Sequence, residues 1–493
     1  MRRTLHPIPK ASVGFADREG FFSRVLTKLN SLWVRATYPF AGKGRKLSLH
    51  YASEISRCLA PRIRLGHCVE IGKHTWFHLG MDGAHEVRIT IEDNCRIGPR
   101  CTISAKNSIY LERDVVVAAD VLVMDHGHAY QDPSKPISAQ GATQGGRIRI
   151  KERCRIGQGA VVLCDKGELV LGQNCVVAEG AVVTRSFPPD SVLSGNPARV
   201  VQKSGAGRVS GPLSLPKEFY ESGGLSRDSG SLATSSQEMS ASRSDVKESD
   251  SEQELTTYSR QGMSEEDPLS WVSRAAGKLR TLWLAWTYPF ACFAKGAWVH
   301  YSGRIARSAA RYISIGKNVG LARDVRLDVS AAPETTSPVI VLEAGSGMQR
   351  RCTISARNRI HVMSNVIFGP SVLVTDHLLE PQEDGLAIDR QKRTGGTIRI
   401  EEDCWIGYGA VIVCDEGELV IGRHSVVGAN SVITRSIPPF SVVAGDPTRI
   451  VKQYDFFERK WVLGCVRPRA GDRQDTVPVA GGPVKSGFPE LKS

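Results

Sequence analysis

Aliphatic residues recur along most of this chain at a spacing of six. Ile156 and Val162 are six apart, and Leu171, Val177 and Val183 continue the series after a slip to nine. Ile406, Ile412, Ile421, Val427 and Ile433 repeat it with the same slip. Six is too long for the alternation of a half-buried strand and does not fit the 3.6 period of a helix. It fits a solenoid in which each short strand sends one aliphatic side chain inward. Dipeptides of an aliphatic residue and glycine accompany the period, among them Ile71-Gly72, Ile97-Gly98, Ile156-Gly157, Ile315-Gly316 and Ile406-Gly407. Small residues there are expected to let the chain turn sharply. The pattern predicts a parallel β-helix over residues 45–203 and another over 295–453.

A different pattern precedes each solenoid. Phe22, Val25, Leu26, Leu29, Leu32 and Trp33 follow helical spacing, with Arg24, Lys28 and Arg35 on the other side, and Pro39 closes the segment. Leu279, Leu282 and Trp283 repeat it, as Thr287-Tyr288-Pro289-Phe290 repeats Thr37-Tyr38-Pro39-Phe40. Helices are therefore expected over about 18–36 and 268–286. Their apolar faces, which include Trp33, Trp271, Trp283 and Trp286, have two possible uses: capping a solenoid end, or lying on a membrane surface beside the basic residues. Residues 204–267 are rich in Ser, Gly and charge and read as a disordered acidic linker. The chain thus divides into a disordered start (1–17), a helix with a β-helix (18–203), the linker, a second helix with a β-helix (268–465), and a disordered tail (466–493).

One polar segment interrupts each solenoid. Val121–Gly146 reads VLVMDHGHAYQDPSKPISAQGATQGG, and Val372–Gly396 reads VLVTDHLLEPQEDGLAIDRQKRTGG. Asp125-His126 recurs as Asp376-His377, 251 residues later, about half of a 493-residue chain. The protein is a tandem duplication with one site-like loop per copy. A polar loop between regular apolar flanks is where a site is built.

The chain carries +13 net charge, with six basic and twelve acidic residues in 204–267, so the rest carries +19. Neither an aromatic-basic platform nor a DNA-reading helix pattern accompanies it, which points away from nucleic acid. Anionic cofactors and a membrane surface are better partners. No apolar run reaches the roughly 18 residues of a membrane span, and the start has no apolar leader-like stretch. Twelve cysteines include no CxxC pair. The matched pairs Cys101/Cys352, Cys154/Cys404 and Cys164/Cys414 read as small buried hydrophobes, which favours a reducing cytoplasm.

The stretches IGQGAVVLCDKGELVLGQNCVVAEGAVVTRSFPPDSVLSGNPARVV and IGYGAVIVCDEGELVIGRHSVVGANSVITRSIPPFSVVAGDPTRIV resemble the hexapeptide-repeat acyltransferases. Each ends in that family's Thr-Arg, Pro-Pro, Ser-Val and Gly-x-Pro-x-Arg pattern. The DHGHAY…DP…PI…QG segment looks similar to bacterial O-acetyltransferases of colanic-acid, O-antigen or capsule biosynthesis. The resemblance implies an all-β fold of two left-handed parallel β-helices. It also implies transfer from acetyl-CoA to a sugar or glycolipid hydroxyl, with no metal. The family's loop histidine, the general base, falls on His126 and His377, and Asp125 and Asp376 accompany them. On an extended strand, adjacent side chains point to opposite faces, so Asp125 orienting His126, contacting the acceptor and holding the loop all stay open. His128, Tyr130 and Asp132 are acceptor contacts by position; copy two has Leu379, Pro381 and Glu383 instead. Coenzyme A contacts fall on Thr184, Arg185 and Arg199, and on Thr434, Arg435, Arg449, Lys452 and Trp405. Oxyanion donors are expected among the amides near Gly145–Gly146 or on the facing coil. The acceptor would be a carbohydrate or lipid-linked glycan, met in the cytoplasm or at the inner face of the membrane. The family usually forms trimers with sites between neighbouring β-helices, so a homo-oligomer or pseudo-trimeric assembly is expected.

Two other readings stand beside this one. Either copy could be a non-catalytic oligomerisation scaffold. A metal-dependent β-helix enzyme of the gamma carbonic anhydrase type would need three spaced histidines, and His126 with His128 lie too close to supply them.

Overall fold

The computed structural model describes residues 21–79, 86–203, 268–330, 337–379 and 393–464. The expected disordered start, linker and tail fall outside the described residues. Each copy is a parallel β-helix of three sheets, with 6, 8 and 5 strands in copy one and 6, 9 and 6 in copy two, one sheet of each copy continuing into antiparallel strands at its end.

The six-residue period becomes a ladder of stacked side chains. Ile63 pairs with Ile89, Ile89 with Ile109, Ile109 with Ile148 and Ile148 with Leu169, all parallel and in register. In copy two the ladder is Ile313, Ile340, Ile360, Ile398 and Leu419. Ile156, Val162, Leu171, Val177 and Val183 all lie in the core. Strands of the inner coils have a neighbour above and below, so the backbone groups between coils are satisfied while each coil adds a layer of apolar contact.

The glycines act differently from the expectation. A Cβ on Gly72 would lie 2.6 Å from the backbone nitrogen of Pro99, and one on Gly98 would lie 2.6 Å from Ala118. Glycine is needed there because the next coil passes too close for a side chain. The left-handed corner residues are mostly not glycine: Cys68, His74, Asn94, Arg100, Asp114 and Asp120 all have φ between 56° and 61°. The buried cysteines also serve the coil stacking. Cys101 and Cys352 donate their thiols at 3.0 Å to carbonyls of the following coil, those of Ala118 and Gly369.

Two α-helices precede the solenoids, α1 (Phe21–Thr37) and α2 (Pro268–Thr287). Both pack with their polar side inward. Ser31 accepts the N–H of Leu49 at 2.9 Å and faces its carbonyl at 3.2 Å, and Asn30 donates to the same carbonyl at 3.1 Å. In α2, Thr281 accepts the Val299 N–H at 3.0 Å, and its hydroxyl lies 2.8 Å from the Gly277 carbonyl and 3.2 Å from that of Val299. These hydroxyls satisfy the open edge of the first coil, where no earlier strand exists to pair. The apolar faces are therefore not what caps the solenoids. Leu29 and Leu32 are 58% and 64% exposed, Leu279 and Leu282 68% and 67%.

The two β-helices stand side by side. Arg351 pairs with Asp120 at 2.7 Å, and Tyr408 donates to the Asp120 carbonyl at 2.5 Å. Tyr408 also packs on Leu122, Val161 and Val182 of copy one. Near the start of copy one, Glu54 accepts from Arg323 and, at 2.6 Å, from Arg350. Near its end, Asn196 donates to Ala429 at 2.8 Å, and Asn430 donates to Gly159 and Gly180 at 2.8 and 3.0 Å. These contacts ascend together in both copies, so the solenoid axes run in the same direction.

Candidate functional site

Both Asp-His pairs leave their solenoids at the end of a short strand, Leu122–Met124 in copy one and Leu373–Thr375 in copy two. Asp125 is fully buried and accepts three backbone N–H bonds, from Lys106 at 2.6 Å, Asn107 at 2.7 Å and Ser108 at 2.8 Å. Its Oδ1 also lies 3.0 Å from His126 Nδ1. The chain bends at Asp125, so it is no longer extended, and the adjacent side chains meet. The geometry places two of the roles left open for Asp125 on one carboxylate, which contacts both the loop backbone and the imidazole. Because that carboxylate acts as an acceptor, His126 Nδ1 is the donor, and Nε2 is left as the ring's acceptor atom. Among the described residues, the Nδ1 contact is the hydrogen bond made by this ring.

Copy two builds the same pair. Asp376 accepts from Arg357, Asn358 and Arg359 at 2.7, 2.8 and 2.9 Å, and lies 3.0 Å from His377 Nδ1. There, however, Ser330 Oγ sits 3.1 Å from His377 Nε2, so the acceptor atom is already engaged. Of the copy-two counterparts in the loop, Pro381, Glu383 and the Leu379 side chain lie outside the described residues.

The first loop meets the second copy. The His128 ring lies 3.6 Å from the Trp405 ring, centroid to centroid. Tyr130 is edge-on to Trp461 at 5.2 Å and accepts from Lys452 Nζ at 3.3 Å. Trp461 Nε1 donates at 3.1 Å to the Gln131 carbonyl. Two residues matched in sequence to coenzyme contacts of copy two, Trp405 and Lys452, thus sit on the loop of copy one. Asp132 folds the loop tip: its carboxylate accepts from Ser134 N–H at 3.0 Å, and its own N–H donates at 3.1 Å to Gln140. The Ser134 bonds also hold its carboxyl below the usual range. Thr184, Arg185, Arg199, Thr434, Arg435 and Arg449 are exposed along the closing coils. The amide of Gly146 is spent on the carbonyls of Asp125 at 2.6 Å and Cys164 at 3.2 Å, so it is not a free oxyanion donor.

Sequence reasoning missed His78, Trp461 and Tyr408. His78 lies in the strand Trp76–Leu79, with Nδ1 3.0 Å from Ser104 Oγ. Burial, with help from the neighbouring His126, pushes its pKa down to about 4. Burial and the same neighbour push His128 to about 3. Both rings are therefore neutral at ordinary pH beside His126. Trp461 had a signal: its hairpin, Arg449–Asp455 with Lys460–Leu463, extends copy two past the point where copy one ends. His78 had none, because copy two carries Asp328 at the matching position.

The repeats match the family pattern described as the hexapeptide repeat of succinyl-transferase, at residues 88–124, 147–185 and 397–435. A galactoside O-acetyltransferase of Lactococcus lactis is 32% identical over 94 residues, covering 19% of this chain and 43% of that one. The Escherichia coli chain named for an O-acetyl transferase of lipopolysaccharide biosynthesis is 26% identical over 121 residues, covering 23% and 60%. The chain spans at most about 60% of the length of these relatives. Among solved structures, an N-acyltransferase from Bacillus cereus, in complex with dTDP and 3-hydroxybutyryl-CoA, aligns over 35% of this chain and 87% of that one, at 14% identity and a TM-score of 0.30. The hexapeptide-repeat pattern thus matches stretches in both copies, and over part of its length the chain is similar to chains named as O-acetyltransferases.

Proposed function

We propose that this protein is an acetyl-CoA-dependent O-acetyltransferase acting on a sugar or glycolipid hydroxyl, with His126 as general base. The observation that carries the reading is the Asp125–His126 pair, with Nδ1 held at 3.0 Å and Nε2 left to accept a proton. The acceptor hydroxyl gives its proton to Nε2 as its oxygen attacks the thioester carbonyl. The tetrahedral intermediate collapses, the C–S bond breaks, and the imidazolium returns the proton to the departing sulfur. The products are an acetyl ester and coenzyme A. Asp125 favours this cycle by fixing the tautomer and stabilising the imidazolium. Exposed Arg185, Arg199, Arg435 and Arg449 suit the phosphates of the coenzyme.

In this reading the copies divide the work. Copy one supplies the base and the acceptor-side loop; copy two supplies Trp405, Lys452 and Trp461 as the opposite wall. The engagement of His377 Nε2 by Ser330 favours a supporting role for the second copy. The reaction belongs, on this reading, to the cytoplasm, with an acceptor that is carbohydrate or lipid-linked. The test is thiol release from acetyl-CoA against a panel of glycan acceptors, comparing the native chain with His126→Ala. Release that is independent of His126 overturns the assignment.

A further inference from the structure

Both helices are turned inside out relative to a helix that closes a core. In α1 the side facing the solenoid carries Thr27, Asn30, Ser31 and Val34, while Leu26, Leu29, Leu32 and Trp33 are 48–64% exposed. In α2 the inward side carries Gly277, Thr281 and Leu284, while Leu279, Leu282, Trp283 and Trp286 are 44–88% exposed. Gly277 allows this approach, since a Cβ there would lie 3.1 Å from Trp298 Nε1. Leaving several leucines and tryptophans in water is unfavourable, and the arrangement occurs in both copies.

Position and charge identify what covers these faces. The solenoid axes run in the same direction, so the helices, each preceding its first coil, lie at one end of the molecule. Neither helix contains an acidic residue: α1 carries Arg24, Lys28 and Arg35, and α2 carries Arg274, Lys278 and Arg280. Helical spacing puts Arg24, Lys28 and Arg35 on one flank of the exposed apolar stripe, between it and the buried polar side. Arg280 lies over the Trp283 ring at 4.5 Å. A second copy of this end would set two basic surfaces against each other. An anionic lipid surface takes both features, with the apolar stripe entering the acyl boundary and the basic flank meeting the headgroups.

We infer that α1 and α2 together form a two-point dock for an anionic phospholipid membrane, which holds the double solenoid with its helical end against the bilayer. The inference stands on the helices and not on acetyl transfer.

The experiment is co-sedimentation of the full chain with vesicles of phosphatidylcholine alone or mixed with phosphatidylglycerol. Binding is expected to the mixed vesicles and to fall in high salt, because headgroup attraction is screened. The variant L29S/L32S/L279S/L282S changes exposed positions only, and it should lower the partition coefficient by about tenfold or more. A second variant, R24Q/K28Q/K278Q, leaves the apolar stripe intact and should flatten the salt dependence. Acetyl transfer to a water-soluble acceptor should be unchanged in both. The inference is overturned if the native chain stays in the supernatant with the mixed vesicles, or if the serine variant binds as well as the native chain. It is also overturned if the leucines instead mediate self-association, seen as a mass that falls in the serine variant without vesicle binding.

Discussion

The His128 ring of the first copy lies 3.6 Å from the Trp405 ring of the second, centroid to centroid. The two residues are neighbours only because the solenoids dock. If this contact shapes the proposed acceptor pocket, Trp405→Ala should lower the transfer rate by about tenfold or more, since a small misplacement near reacting groups is costly. His128→Ala should do the same, and the double variant should lose little more than either alone. Such non-additivity in a double-mutant cycle checks the coupling.

His126→Ala should lower the turnover of the main acceptor reaction by roughly 10²–10⁴, the usual cost of removing a general base. His377→Ala should leave that reaction within a few-fold of normal. Steady-state thiol release measures both. Equal loss from either substitution would mean that the copies share one composite site.

Asp125→Asn should impair transfer while the coenzyme affinity changes little, because the amide can no longer fix the His126 tautomer. It also turns an acceptor of three backbone N–H groups into a poorer one, so some stability is lost, about 1–3 kcal/mol. Thermal unfolding and the split between kcat and KM separate the two effects.

Acid should weaken the native state. His78 and His128 are pushed down to about 4 and about 3 by burial. Between those values and the ordinary 6.5 the unfolded chain binds protons that the folded chain refuses, so stability falls as pH drops through that window. Burial raises the carboxyl pKa of Glu54, but Arg350 and Arg323 outweigh it and hold it below its ordinary value. Its contribution is present above about 4.5 and is lost as pH falls further. The melting temperature should therefore drop between pH 7 and 5, and less steeply in His78→Gln/His128→Gln.

Phe77 is 1% exposed in the strand that carries His78. Phe77→Ala should cost about 3–5 kcal/mol through the cavity it leaves. Denaturant unfolding should show that loss, whereas Glu54→Ala, at the interface between copies, should chiefly separate the unfolding of the two solenoids.

Much of the architecture was legible because it is local. Ile156, Val162, Leu171, Val177 and Val183 read as inward at a six-residue period, and that period fixes which side chains stack on the coil above. The recurrence of Asp-His in the polar loop of each copy marked the same pair that the fold buries. The glycine positions were legible but their reason was not. Sequence suggested turning, whereas the approach of the next coil to Gly72 is a distance across the solenoid.

What tertiary structure alone decided is how non-local surfaces meet. The helical pattern gave α1 and α2 an apolar face, but not the side that docks. That choice belongs to the unpaired edges at Leu49 and Val299, whose N–H and C=O groups require hydroxyls and so draw the polar face inward. Likewise, Lys452 and Trp461 lie 322 and 330 residues from the groups they bond in the first loop. Periodicity carries no information over such separations. The sequence by itself determined two coiled walls and a histidine on each; the docking of one wall on the other, through Asp120, Arg351 and Tyr408, decided that residues of the second copy face the histidine loop of the first.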